Sequence, residues 1–300
     1  MNVWAQDLHD YFFWQESTSN PKILAAEINQ MALNQNWHFA GLVRDNDVLD
    51  FATQATSAIS VLLDRTGKEK VLFAKNIEET LPIASITKLM TAKVVLKNYD
   101  LQKEIVITRE AVAQEESLGE LTAGQTLTVQ QLLYPLLMES SNDAAFALFN
   151  DYDGMTRVKF VEMMNAAARE MGLANTYFYN PSGLEPEEDR VSNGLNYSTA
   201  ADLVTLTKNL LDKPLIWDIL QTSRINLYGP ILANGNKLLD KMPGVLGGKT
   251  GYTEQAQGCF VLVVEAPADK GILVNVILGA PDRFLEMENL INWVKQAYGW

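Results

Sequence analysis

The chain has 300 residues, of which 47% are hydrophobic and 20% are charged, and this composition is typical of a folded globular protein. A net charge of −13, without any clustered run of Lys and Arg, argues against a surface that binds nucleic acid. The single cysteine, Cys259, excludes an intramolecular disulfide bond.

Neither a membrane span nor a signal peptide is predicted from the hydropathy pattern. No stretch of the sequence approaches the roughly 18 consecutive apolar residues of a membrane-spanning helix. The N-terminus lacks the positively charged start and apolar run of a secretory signal. We therefore expect the chain to be soluble as it stands, with any signal or membrane anchor of the natural protein outside this sequence.

Residues 1–56 are predicted to form an N-terminal extension of unknown role. They are rich in Asn, Gln and aromatic residues and contain one predicted helix, at about 22–33. The only two histidines of the chain, His9 and His38, both lie here. A Ser-His-Asp triad would therefore require this extension to enter the active site, and histidine-ligated zinc is not indicated. We predict no metal site and no cofactor.

Residues 57–300 show regular periodicity and are predicted to form the catalytic domain. Apolar runs at 58–63 and 70–75, separated by a Thr66-Gly67 turn, predict a hairpin. Two β-rich segments near the C-terminus precede a closing helix, and helical patterns dominate the middle. The predicted helices are 85–97, 129–138, 144–149, 155–171, 199–211, 215–222 and 283–297, and the two late strands are 258–265 and 271–278. Strands at both ends with helices between them predict an α+β fold with one sheet built from both termini.

Ser85 and Lys88 are the first pair of residues that indicates chemistry. On a helix, residues three apart share a face with Cβ atoms about 5–6 Å apart, so the Lys88 amine can reach the Ser85 hydroxyl. The start of a helix would also place positive potential near Ser85. The pattern alone is weak, because Ser19-Asn20-Pro21-Lys22 matches it too, although the proline disfavours a helix there.

Two further motifs follow this pair in a fixed order. Ser140-Ser141-Asn142 lies between two predicted helices, and Lys249-Thr250-Gly251 is predicted to lead into a strand. Ser-x-x-Lys, Ser-x-Asn and Lys-Thr-Gly in this order are the signature of the β-lactamase and penicillin-binding superfamily. Each motif is weak singly, and their order makes the prediction specific.

The sequence resembles D-alanyl-D-alanine carboxypeptidases over about residues 57–297. The resemblance is carried by the nucleophile segment 82–92 (Pro-Ile-Ala-Ser-Ile-Thr-Lys-Leu-Met-Thr-Ala) and by the segments 140–144, 180–184, 197–203, 248–253 and 283–286. Residues 1–56 have no counterpart in the family pattern. The resemblance implies a β-lactamase/transpeptidase-like α+β fold, with an antiparallel sheet flanked by helices and a mainly helical subdomain in the middle of the chain.

The resemblance implies four catalytic residues. Ser85 would be the nucleophile and Lys88 its general base, while Ser140 would pass a proton to the leaving amine and Asn142 would orient the substrate amide. A free lysine titrates near 10.4, so a base at neutral pH needs its pKa lowered by roughly 3 units. In the family arrangement, Lys249 lies across the cleft and would supply the cation that lowers it.

The resemblance also implies the substrate-binding residues. The backbone N–H groups of Ser85 and Tyr252 would form the oxyanion hole. Lys249, Thr250 and Arg283 would hold the free carboxylate of a terminal D-alanine, and Gly251 belongs to the same segment. As alternatives, Thr250-Gly251 also fits an ordinary strand entry, and Arg283 fits a salt bridge at a helix start.

Other segments are predicted to be structural. Residues 197–203 are typical of a helix start capped by Ser198 or Thr199. Residues 180–184 are typical of a turn, with substrate contact as the alternative. The acidic loop 185–189 is predicted to be a solvated surface, with calcium binding as the alternative. Cys259, on an apolar strand, is predicted to be a buried small hydrophobic residue.

We therefore predict a serine-type D-Ala-D-Ala carboxypeptidase that cleaves the terminal D-alanine of peptidoglycan stem peptides and is also acylated by penicillins. The resemblance implies an extracytoplasmic location, either periplasmic or at the cell surface. Three alternatives stay open: a D,D-endopeptidase that acts on peptidoglycan crosslinks, a β-lactamase, or a non-catalytic peptidoglycan-binding sensor. A β-lactamase would need a base to hydrolyse the acyl-enzyme, and Glu185, Glu187 or Glu188 could supply it.

Overall fold

The structure is a computed structural model that describes residues 42–115, 118–185 and 194–300. The predicted helix at 22–33, both histidines and residues 186–189 of the acidic loop lie outside these ranges. Among the described residues, no helix has the length and apolar character needed to cross a membrane.

The strands of the described residues group into one main sheet and three short pairs. The main sheet has five antiparallel strands in the order β2-β1-β11-β10-β9. In chain order the strands are β1 (Ser57–Leu63), β2 (Glu69–Lys75), β3 (Leu81–Pro82), β4 (Glu104–Val106), β5 (Thr126–Thr128), β6 (Tyr197–Ser198), β7 (Arg224–Asn226), β8 (Ile231–Ala233), β9 (Val245–Thr253), β10 (Gln257–Glu265) and β11 (Ile272–Ala280). The prediction of an α+β fold with one sheet built from both ends of the domain is confirmed.

The helices lie in the segments for which the sequence periodicity predicts them. They are α1 (Thr87–Asn98), α2 (Val129–Met138), α3 (Asn142–Asn150), α4 (Arg157–Glu170), α5 (Ala200–Lys208), α6 (Pro214–Gln221) and α7 (Arg283–Ala297). Side-chain caps fix several of their starts. The Thr199 hydroxyl accepts from the Asp202 N–H (3.1 Å), so Thr199 caps α5, as one of the two predicted residues. Helix α4 starts later than predicted because Thr156 caps it at Arg157.

The central strands are mostly apolar and are buried along most of their length, because both faces of the sheet are covered. Every residue of β1 is buried. Ile59, Val61 and Leu63 join the core that includes Leu203 of α5. Helix α7 packs against β10, β11 and β1. Because successive side chains of a strand point to opposite faces, the sheet buries two apolar layers.

The three short strand pairs were not predicted from the sequence. Strand β3 pairs with β6, β4 with β5, and β7 with β8. Each has only two or three residues, which is too short for an alternating pattern to be recognised. The β3–β6 pair matters for function because β3 ends three residues before Ser85.

Part of the predicted extension packs on the catalytic domain. The Phe51 ring lies 5.2 Å from that of Phe73 and 5.8 Å from that of Trp293. The Thr53 hydroxyl donates to the buried carboxylate of Glu286 (2.6 Å). The domain boundary at residue 57 stays a prediction.

Candidate active site

Ser85 lies in a short 3₁₀ turn, Ala84–Ile86, immediately before α1. Lys88 is in the first turn of that helix, and its Nζ donates to Ser85 Oγ at 2.9 Å. The two side chains therefore meet as the spacing of three residues predicts. The first half of helix α1 is fully enclosed, because all of its residues from Thr87 to Ala92 are buried.

Lys88 is fully buried, so its amine depends on protein acceptors. Besides the Ser85 hydroxyl, it donates to Asn142 Oδ1 (2.8 Å) and to the main-chain carbonyl of Ser182 (2.6 Å). The Asn142 amide nitrogen in turn donates to the Glu115 carbonyl (2.8 Å), which fixes the orientation of the amide. The amine is thus held by oxygen atoms from three separate segments.

Ser140 lies between α2 and α3, as predicted, in a strained conformation. Its φ of 64° lies in the left-handed region, which non-glycine residues adopt rarely and mostly at functional sites. The Ser141 hydroxyl caps α3 by accepting from the Ala144 N–H (3.1 Å), so Asn142 becomes the first residue of that helix. The bend brings Ser140 and Asn142 to the same cavity as Ser85.

Lys249 lies inside β9, and the prediction that the Lys-Thr-Gly motif leads into a strand is wrong in this detail, because β9 begins at Val245. Its Nζ donates to Ser140 Oγ (2.9 Å) and to the Thr250 carbonyl (2.8 Å). Burial, and to a smaller degree the nearby charge of Arg283, lowers the pKa of Lys249 to about 7. Near neutral pH the side chain therefore exists in both its charged and its neutral form.

A cavity of about 220 Å³ joins these residues. The side chains that reach it come from every predicted motif, and they include Ser85, Ser140, Asn142, Thr250, Tyr252 and Arg283. Lys88 and Lys249 lie buried behind this surface, at 0% and 2% exposure. The cavity therefore presents hydroxyl and amide groups together with the charged side chains of Glu139 and Arg283, and an amine is bonded behind each of the two serines.

Two glycines allow backbone segments to approach Ser85. A Cβ atom on Gly251 would lie 3.0 Å from the Ser85 nitrogen, so the glycine lets β9 pass close to the nucleophile. Gly183 has a φ of +85°, and a Cβ there would lie 2.1 Å from the Ala84 carbonyl oxygen. Position 251 of the Lys-Thr-Gly motif thus requires glycine in this fold, because a side chain there would crowd the backbone at Ser85.

Arg283 is the first residue of α7 and faces the same cavity. The alternative of a salt bridge at the helix start finds no support within the described ranges, because no ion pair of Arg283 occurs there. Its guanidinium lies 5.7 Å from the centre of the Tyr252 ring and 4.9 Å from that of Phe284. Its buried Nε has no hydrogen-bond partner among the described residues. A guanidinium that faces the cavity without an ion-pair partner can bind a carboxylate by donating hydrogen bonds to it.

The described part of the acidic loop does not supply a base at Ser85. Glu185 Oε1 accepts from the Gln255 N–H (2.9 Å), and Glu185 is not among the residues that line the Ser85 cavity. Glu187 and Glu188 lie outside the described residues. Cys259 is fully buried, as expected of a small hydrophobic residue, and burial raises the pKa of its thiol to about 12.

Sequence reasoning missed the polar groups that support Lys88 from behind. Asn196 is not among the predicted site residues, and the turn at 180–184 is predicted to be structural, with substrate contact as the alternative. In the structure this turn supplies the Ser182 carbonyl to Lys88, and Asn196 bonds to the turn. The Asn-Pro-x-Gly pattern was a signal for the turn, and nothing local indicated its partner.

Comparisons with known proteins identify the family of the chain. The sequence model of the D-alanyl-D-alanine carboxypeptidase family matches residues 46–282. The D-alanyl-D-alanine carboxypeptidase DacF of Bacillus subtilis is 34% identical over 243 residues, which cover 77% of this chain and 59% of DacF. The D-alanyl-D-alanine endopeptidase of Pseudomonas aeruginosa is 29% identical over 254 residues, which cover 81% of this chain and 78% of that protein.

A solved structure shares the fold. Penicillin-binding protein D2 from Listeria monocytogenes, in its cefotaxime-bound form, superposes with a TM-score of 0.70 and 26% identity. The superposition covers 82% of this chain and 99% of that one. Because the family match includes the segments of Ser85, Ser140 and Lys249 and most of the chain, the chain belongs to the D-alanyl-D-alanine carboxypeptidase family.

Proposed function

We propose that the protein is a serine-type D-Ala-D-Ala carboxypeptidase that removes the terminal D-alanine of peptidoglycan stem peptides and is acylated by β-lactams. The observation that carries the proposal is the pair of amine–hydroxyl contacts at one cavity. Lys88 bonds to Ser85 on one side, and Lys249 bonds to Ser140 on the other. Family membership and the carboxypeptidase name of DacF support the choice of substrate.

In the acylation step, the neutral amine of Lys88 takes the proton of Ser85 Oγ. The oxygen then forms a bond to the carbonyl carbon of the penultimate D-alanine, and the carbonyl oxygen becomes an oxyanion. The N–H groups of Ser85 and Tyr252 are proposed to stabilise this oxyanion. The close approach of β9 to the nucleophile supports this, because even a Cβ atom on Gly251 would lie only 3.0 Å from the Ser85 nitrogen.

The leaving D-alanine needs a proton when the C–N bond breaks. We propose that Ser140 gives it, because its Oγ lies 2.9 Å from Lys249 Nζ and can recover a proton from the ammonium form of that lysine. In deacylation the same route runs in reverse. Water attacks the ester, its proton returns to Lys249 through Ser140, and Ser85 Oγ leaves with the proton that Lys88 holds.

The carboxylate of the terminal D-alanine is proposed to bind at Lys249, Thr250 and Arg283. Thr250 and Arg283 both line the cavity, and Arg283 has no ion pair among the described residues. The charged form of Lys249 lies just behind them. This cluster gives an acidic protein a local positive surface that matches an anionic peptide end.

We expect the binding of a peptide that ends in D-Ala-D-Ala to weaken by about tenfold between pH 6 and pH 9. The pKa of Lys249 is lowered to about 7, so the side chain is charged below this pH and loses its charge above it. The peptide carboxylate stays ionised throughout. The measurement is the inhibition constant of the peptide against penicillin acylation at each pH.

Lys249→Arg is the matched control for this prediction, because arginine keeps its charge across the whole range. Its peptide affinity should vary much less with pH, whatever the absolute value. An inhibition constant of the unchanged protein that stays flat from pH 6 to pH 9 would remove the charge of Lys249 from substrate binding.

The endopeptidase alternative uses the same groups, and the name of the Pseudomonas aeruginosa relative supports keeping it. For a β-lactamase, the hydrogen bond of Glu185 to the Gln255 N–H speaks against this carboxylate as the deacylating base. A non-catalytic sensor would have no use for the buried amines behind both serines. We propose an extracytoplasmic location on the basis of the family relationship.

The intact mass of the protein after addition of a fluorescent penicillin, followed over time, tests the proposal. We expect a single adduct on Ser85 that persists for many minutes, and release of D-alanine from a stem pentapeptide. Rapid loss of the adduct would indicate a β-lactamase, and absence of any adduct would indicate the sensor. Cleavage of a crosslinked dimer in preference to the pentapeptide would indicate the endopeptidase.

A further inference from the structure

The main-chain carbonyl of Ser182 is part of the environment of Lys88, although no side chain of its turn was assigned to the reaction. It accepts from Lys88 Nζ at 2.6 Å, while Asn142 Oδ1 accepts at 2.8 Å. A neutral amine has two N–H groups and one free electron pair. When the two N–H groups donate to these oxygens, the free pair is left to face Ser85. The direction in which the free electron pair of Lys88 points therefore depends on the position of the Ser182 carbonyl.

Asn180 shapes the turn that carries this carbonyl. Its Oδ1 accepts from the N–H groups of Gly183 (2.6 Å) and Ser182 (3.2 Å), and its Nδ2 donates to the Leu184 carbonyl (3.0 Å). The side chain is 7% exposed, so water cannot easily replace these bonds. One amide thus fixes the peptide group that contains the Ser182 carbonyl, through the Gly183 N–H, and the preceding peptide group, through the Ser182 N–H.

Asn196 holds Asn180 and connects it to the nucleophile segment. Its Oδ1 accepts from the Asn180 N–H (3.1 Å), and its Nδ2 donates to the Asn180 carbonyl (2.8 Å) and to the Thr87 hydroxyl (2.9 Å). Its own carbonyl accepts from the Ile83 N–H (3.1 Å). Asn196 therefore binds the chain on both sides of Ser85 and the turn behind Lys88 at the same time.

We propose that Asn180 and Asn196 are positioning residues for the reaction of Ser85: they hold the Ser182 carbonyl on Lys88, so that the free electron pair of the amine points at the Ser85 hydroxyl. The inference rests on the proposed function of Ser85 and Lys88. Neither asparagine touches the reacting atoms. Each acts through the carbonyl that it holds in place.

Asn180→Ala tests the proposal through the kinetics of penicillin acylation. The first-order acylation rate at saturating penicillin should fall by about 10- to 100-fold, because a displacement near 1 Å costs a reaction on this order. The dissociation constant of the non-covalent complex should change less than the rate, since Asn180 does not itself line the Ser85 cavity and only Gly183 and Leu184 of its turn do. The final adduct should still reach one penicillin per protein.

A purely structural role would give a different pattern. Partial unfolding would reduce the final amount of adduct and leave the rate of the folded molecules unchanged. Asn165→Ala is the matched control, because Asn165 is also buried (6%) and bonds both backbone groups of Phe178, two residues before Asn180. Asn165 does not bond the Ser182 turn. Its loss should lower stability without slowing acylation.

Thr91→Val is a second variant that keeps the shape of the side chain. The Thr91 hydroxyl donates to the Pro181 carbonyl (2.6 Å), the peptide group next to Ser182. We expect acylation about threefold to tenfold slower with an unchanged dissociation constant, even if Asn180→Ala does not fold.

Two results would overturn the inference. One is acylation at the unchanged rate in Asn180→Ala, or in Thr91→Val if only that variant folds. The other is an equal slowing by Asn165→Ala. In either case a penicillin adduct on Ser85 of the unchanged protein leaves the proposed function standing. Absence of that adduct would refute the proposed function itself, along with this inference.

Discussion

Ser85→Ala should abolish penicillin acylation and lower peptide cleavage by at least about 10⁴-fold, the scale seen when a serine nucleophile is removed. Ser85 Oγ is the hydroxyl that Lys88 contacts at 2.9 Å, and it faces the cavity. The change deletes one oxygen at a half-buried site, so the free energy of unfolding should change by no more than about 1 kcal/mol. Intact mass after penicillin and the thermal unfolding curve measure the two effects.

Ser19→Ala is the matched control, because Ser19 belongs to the second Ser-x-x-Lys match in the sequence. It should acylate at the rate of the unchanged protein. If Ser85→Ala still formed the adduct at that rate, the assignment of the nucleophile and every role that depends on it would be wrong.

Lys88→Met should slow acylation by about 10³-fold while the protein stays folded. General bases contribute on the order of 10²–10⁴ to rates, and methionine cannot take a proton. The Asn142 and Ser182 oxygens would lose their donor, at about 1–3 kcal/mol each. Removing the cost of burying an amine at 0% exposure offsets part of this loss. The acylation rate reports the loss of the base, and the free energy of unfolding reports the loss of these two hydrogen bonds, so both are measured on the same variant.

Lys88→Arg separates a base from a simple cation. Arginine stays charged, so it cannot accept the Ser85 proton, and this variant should acylate as slowly as Lys88→Met. Lys97→Met, at an exposed lysine paired with Glu170, is the control for loss of a lysine on the same helix. An acylation rate of Lys88→Met within tenfold of the unchanged protein would contradict the role of Lys88 as base.

Local sequence rules accounted for much of the fold and for the motifs of the site. The apolar run of β1 predicted a buried strand, and helical periodicity with a Thr cap predicted α5. The spacing of Ser85 and Lys88 predicted their contact, because a helical turn brings residues three apart together. The rules failed for the two-residue strands β3 and β6, which are too short to show a period.

The sequence by itself determined which residue types carry the chemistry and that Ser85 and Lys88 meet. The tertiary structure decided what surrounds them. The partners of Lys88 at Asn142 and Ser182 are 54 and 94 residues away, and Lys249 is 109 residues from Ser140. Local periodicity cannot predict such contacts, because each depends on how separate elements pack. Packing between distant segments also buries Lys249, which lowers its pKa, and brings Asn196 into hydrogen-bonding distance of Asn180.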